Sequence, residues 1–96
     1  MNGARGEVTV RIAGKPRRLC LTLGALAEME TALDAGGLDD LVGRMRALSA
    51  RDLLAVLAAL LRGGGEKALA DNLADTGVDP RDAADAVARA FLAAAE

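Results

Sequence analysis

The chain has 96 residues, a net charge of −2, one cysteine and no histidine, tyrosine or tryptophan. The absence of histidine removes the imidazole metal ligand and the ordinary base tuned near neutral pH, and a lone Cys20 makes neither an internal disulfide nor a zinc cluster, which fits a reducing cytoplasm. The chain is 52% apolar, dominated by Leu and Ala with Phe91 as its one aromatic, a composition that favours a single domain (1–96) of closely packed helices.

Glu7 to Ile12, "EVTVRI", alternates Val8, Val10 and Ile12 with Glu7, Thr9 and Arg11, the period of a half-buried strand. "AGKP" (Ala13 to Pro16) supplies turn residues, and "RRLCLTL" resumes the alternation with Leu19, Leu21 and Leu23 facing inward and Cys20 facing away. The two segments form a β-hairpin over 7–23, which needs a helical layer to lie against because an isolated hairpin is marginal in water.

The helical part spans 23–95. Thr22 is the N-cap of a first helix whose buried stripe is Leu26, Met29 and Leu33, with Gly24 keeping the strand-to-helix junction sterically open. "AGG" (Ala35 to Gly37) ends it through a residue able to adopt the left-handed conformation. A second helix runs from Leu38 to Leu48 with Leu38, Leu41, Val42, Met45 and Leu48 in register. Ser49 opens "SARD", a capping pattern that starts a third, central helix carrying Leu53, Leu54, Val56, Leu57, Leu60 and Leu61. "GGG" (Gly63 to Gly65) stops that helix. Leu69 and Leu73 indicate a short fourth helix. Asp79 caps a fifth, with Pro80 at its first position and a buried face of Ala83, Ala84, Val87, Phe91 and Ala94. The fold class is α+β, a β-hairpin packed on four to five short helices.

Residue chemistry points away from catalysis. "GGGEK" (Gly63 to Lys67) follows a helix rather than a strand and lacks the Ser or Thr of a phosphate loop. Cys20 has no base to activate it, and the aspartates do not have calcium-loop spacing. They serve instead as helix caps and first-turn charges. No catalytic, metal or cofactor position is assigned. Residues 1–20 carry five basic side chains against one acidic, or +4, and residues 21–96 carry seven against thirteen, or −6. The basic hairpin reads chiefly as a charged wet face that discourages edge pairing. It lacks the interleaved aromatics on which nucleic acid stacks, so nucleic acid is disfavoured as a partner. The longest apolar run, Leu53 to Leu61, is far short of the ~20 residues of a membrane span, and "MNGARGEVTV" has no apolar signal core. The expected setting is therefore cytoplasmic, with no membrane partner.

Four or five amphipathic helices in so short a chain have more apolar face than one core covers, the raw material of a helix-binding groove or a homo-oligomer interface. The C-terminal helix, with Val87, Phe91 and Leu92, is the first candidate for partner binding.

"GEVTVRIAGKPRRLCLTLGALAEMETAL", followed by "SARDLLAVLAALLRGGG" and a terminal alanine-rich helix with a late Phe, resembles the gene transfer agent tail assembly chaperone family, small phage-derived proteins sometimes labelled tail tube proteins. The similarity runs over nearly the whole chain and is most specific at Leu21 to Leu33 and at "SARDLLAVL". It implies a non-enzymatic chaperone that holds apolar helical segments of the tape measure protein until tail tube subunits polymerise around it, with the tail tube protein as a second partner. The alternative it implies is a structural component of the tail tube or tail terminus, to which an edge strand of the hairpin would add. The family has no catalytic residues to carry over.

Overall fold

The computed structural model describes residues 6–95. β1 (Glu7–Ile12) pairs antiparallel with β2 (Lys15–Cys20), with Ile12 opposite Lys15 and Val8 opposite Leu19. The turn is tighter than the four residues expected from sequence. Ala13 (φ 57°) and Gly14 (φ 79°) alone make it, the doubly left-handed two-residue turn whose twist matches that of the flanking strands. Pro16 therefore lies inside β2, opposite Arg11. Proline is tolerated there because its missing N–H would point away from β1. Arg18, two residues on and facing the same way, sends its N–H to Glu66 Oε2 at 3.1 Å.

α1 (Leu23–Leu33) follows after two residues, and Thr22 fixes the junction: its Oγ1 accepts the Ala25 N–H at 3.0 Å. Ala25, Met29 and Leu33 are buried, with Leu26 half-buried beside them. Three expectations fail at this junction. Leu23, the first helical residue, is turned outward and is 82% exposed. Cys20 is buried even though strand alternation sets it opposite Leu19, because the strand ends there and the chain folds back at once, Thr22 N–H bonding Cys20 O at 3.1 Å. Nor does Gly24 answer a steric need, since an added Cβ would meet only Thr22 Oγ1, at 3.8 Å.

Asp34 ends α1 in the left-handed conformation (φ 53°, ψ 44°), ahead of the glycines expected to do so; a short polar side chain makes this tolerable. α2 (Leu38–Arg44) then gives way to a 3-10 turn over Met45–Ala47. Gly43 near its end weakens the expected single helix, and last turns commonly tighten in this way. Only Leu41 of α2 is buried, while Leu38 and Val42 are exposed.

α3 (Ala50–Gly63) is capped by Ser49, whose Oγ accepts the Asp52 N–H at 3.1 Å. Its residues from Val56 to Leu61 are all buried, the signature of a helix surrounded on every side; α1, α4, α5 and β2 all pack on it. The following glycines do more than stop the helix. A Cβ at Gly63 would lie 2.2 Å from Cys20 O and one at Gly64 would lie 2.1 Å from Arg18 O, so the end of α3 sits directly on the β2 backbone. Gly65 (φ 89°) then turns the chain.

α4 (Lys67–Asp71) and a 3-10 turn over Leu73–Asp75 bury Leu69, Ala70 and Leu73. α5 (Pro80–Ala95) begins as expected, with Asp79 Oδ1 accepting the Arg81 N–H at 2.7 Å. Its buried face is rotated from the expected one: Ala83, Ala86, Val87 and Ala90 are buried, Ala84 is exposed and Phe91 only half-buried. One apolar cluster joins both strands to α1, α2, α3, α4 and α5.

Candidate functional site

The rotation of α5 creates the most distinctive surface of the molecule. One flank of the helix, Ala84, Val87, Ala88 and Phe91, faces Met45 and Leu48 of the α2–α3 corner and Leu53 of α3 across a groove of about 490 Å³. Small side chains at positions 84 and 88 keep that wall low, and Phe91 adds an aromatic ring to it. Leu53 also lines a second apolar hollow of about 240 Å³, which extends past Leu54, Leu57 and Leu73 to Val78 and Ala83. The two hollows meet at Leu53 on either side of the first turns of α3.

Several large apolar side chains are left in water. Leu54 borders the second hollow. Leu92 follows Phe91 on α5 and is 69% exposed. Leu38 and Val42 lie four residues apart on one stripe of α2 that continues to Met45 in the groove wall. Of the residues singled out from sequence, Val87 and Phe91 line the same groove, whereas Leu92 stands outside its lining. The opposite wall was hidden in the sequence because Met45, Leu48 and Leu53 read as ordinary core positions. An offset second stripe on α5, Ala84 to Ala88 to Phe91, is the signal that reveals it.

Polar interactions lie elsewhere. Arg62 bridges Glu28 of α1 and Asp71 of α4, the latter at 3.0 Å, and Lys67 shares Asp71 at 2.9 Å. Hydrogen bonds from Lys67 and then Arg62 hold the Asp71 carboxyl below the usual carboxylate range. The Gly36 N–H, at 2.8 Å, and then Arg44 do the same for Asp40. Burial, assisted by the Glu7 carboxylate, pushes the Cys20 thiol up and so disfavours a thiolate. Among the described residues no group of three or more Cys, Asp or Glu side chains is placed to hold a metal ion, and no helix is long and apolar enough to cross a membrane. The lining of the groove is apolar throughout, so what it offers is shape and apolar area rather than directional bonds.

The family described as phage tail tube protein, GTA-gp10, matches residues 5–95. The chain belongs to this family. The match extends over both strands and all five helices, so the groove and the sheet are parts of one tail-family fold. No curated protein and no solved structure matches the chain. Membership places this GTA-gp10 tail-family protein in a phage-like tail system, where its interactions are with other tail proteins.

Proposed function

We propose that this tail protein is an assembly chaperone that holds apolar helical segments of the tape measure protein in the groove between α5 and the α2–α3 corner. The observation that carries the reading is the combination of tail-family membership with an apolar groove that shares Leu53 with a second apolar hollow, where Leu54 stands exposed. A tape measure is a long helical chain with much exposed apolar surface before the tube encloses it. A groove walled by Ala84, Ala88 and Phe91 suits one face of such a helix, and the lack of anchoring polar groups suits a contact that must later be released. Val87 and Phe91 contribute as part of the wall, and Leu92, exposed next to Phe91 on α5, as added apolar surface. No reaction step is involved, and the protein acts without a cofactor.

Co-expression with a tape measure protein from the same gene cluster tests the proposal: the two co-purify and the tape measure gains solubility. Failure on both counts refutes it. The family's description as a tail tube protein supports a second reading, a component retained in the finished tube. Mass spectrometry of purified particles separates the two, since a chaperone is absent from them and a tube subunit abundant.

A further inference from the structure

Among the described residues β1 has a strand partner on one side only, β2. Ile12 and Lys15 close the turn as a hydrogen-bonded pair, so Val10 with Arg17 and Val8 with Leu19 are bonded pairs as well. The N–H and C=O groups of Glu7, Thr9 and Arg11 consequently point away from β2. Viewed from β2 the same alternation sends the Arg18 N–H outward to Glu66, so the far edge of β2 is occupied by the corner between α3 and α4. No described residue bonds the outward groups of β1. α5 runs antiparallel to β1 and covers its apolar face: position 6 abuts Ala94, while Val10 and Arg11 share a hollow with Asp82, Asp85 and Arg89.

The residues along that edge are self-complementary. If a second β1 lies antiparallel to the first with Thr9 opposite Thr9, Glu7 of each copy faces Arg11 of the other, and Val8 faces Val10 on the inner side of the sheet. Every outward N–H and C=O of Glu7, Thr9 and Arg11 then finds a partner, because Thr9–Thr9 and both Glu7–Arg11 positions are bonded pairs in this register. Centring on Glu7 or on Arg11 instead sets like charges opposite each other, and centring on Val8 or Val10 keeps the bonding groups aligned but sets Thr9 opposite Glu7 or Arg11, so that the two charges no longer pair. One register satisfies both requirements. Both charges are available for it: Glu7 makes no ion pair with a described residue, and Arg11 gives one hydrogen bond to Gly14 O at 3.0 Å.

We propose that two copies of this chain pair β1 to β1 about a two-fold axis at Thr9, forming a continuous four-stranded antiparallel sheet. β1 lies beside Asp82, Asp85 and Arg89 of α5, on the flank opposite the one that lines the groove, so the contact is independent of what the groove binds.

Sedimentation velocity over two decades of concentration tests this with the wild-type chain and four variants, each checked for folding by circular dichroism. The wild type shows a monomer–dimer equilibrium. Glu7→Arg and Arg11→Glu alone each set like charges opposite one another twice and weaken the dimer roughly tenfold, while the double exchange restores it. Phe91→Asp, on the groove, leaves the dimer unchanged. A chain that stays monomeric throughout overturns the proposal, whether or not another tail protein then occupies the edge. It is equally overturned by a dimer indifferent to the single exchanges, by one that the double exchange fails to restore, or by one that Phe91→Asp abolishes.

Discussion

Replacing Gly64 by alanine adds a single methyl group, and the fold has no room for it. The new Cβ would lie 2.1 Å from Arg18 O and 2.5 Å from its carbonyl carbon, and the equivalent atom at Gly63 would lie 2.2 Å from Cys20 O. These neighbours are backbone atoms of β2, held from the other side by pairing with β1, so they cannot rotate aside. Relief requires the end of α3 to lift from the sheet by roughly 1 Å, a shift that loosens Leu60 and Leu61 against the hairpin and stretches the Arg18–Glu66 bond. Overpacking of this kind costs about 1–3 kcal/mol where side chains yield and more where they do not. The helix-propensity gain from Gly to Ala, at most about 1 kcal/mol, is the smaller term. We therefore expect Gly63→Ala and Gly64→Ala each to destabilise by about 2–4 kcal/mol, a large part of the ~5–14 kcal/mol available to a chain of this size. Urea unfolding followed by circular dichroism reads this as a lower midpoint at unchanged slope. Gly24→Ala is the internal control, because its nearest new contact is an ordinary 3.8 Å, and it should leave stability level or slightly raised. If Gly64→Ala unfolds at the wild-type midpoint, the reasoning about close approach is wrong.

Thr22→Ala removes the acceptor of the Ala25 N–H and should cost about 1 kcal/mol, read in the same urea assay; Thr22→Ser should recover most of it. Stability should be nearly flat from about pH 5 to 7 and fall below about pH 4, as followed by urea midpoints. Asp40 and Asp71 titrate below their ordinary value in the folded chain, so their contribution is present above that value and lost as pH falls through the depressed one. At the alkaline end the raised Cys20 thiol has the opposite sign: stability declines once pH passes the thiol's ordinary value, and Cys20→Ala removes that decline. Arg62→Ala breaks two partly exposed ion pairs and should cost no more than about 1 kcal/mol, less at high salt, which a melt at two ionic strengths checks.

The features legible in the sequence are those decided within a few residues of chain. The strand period of Glu7 to Ile12 and the caps Thr22, Ser49 and Asp79 each satisfy a local backbone demand, and each stands in the structure where the sequence set it. The features that were not legible depend on a distant partner. The glycines at 63 and 64 read as punctuation because nothing local shows that β2 passes 2.1–2.2 Å from their missing side chains. Alanine is nearly indifferent to burial, so the run of alanines on α5 left its rotation undetermined by about one position, and Ala84 and Phe91 moved from the expected core to the groove. Asp34 took the left-handed cap ahead of the glycines for a similar reason, since several residues in "DAGG" meet the local requirement and packing chooses among them. The groove was therefore anticipated as surplus apolar face but located only by tertiary structure.

The central claim is that the groove beside α5 receives an apolar helix of the tape measure protein. Ala88 tests it most directly, because it lines the groove yet is exposed, so Ala88→Glu introduces a charge there without disturbing the core. Titration of labelled peptides spanning the tape measure helices, followed by fluorescence anisotropy, should show saturable binding to the wild type and at least a tenfold loss for Ala88→Glu, with the thermal midpoint unchanged. Absence of binding to the wild type, or equal binding by a folded Ala88→Glu, would contradict the account.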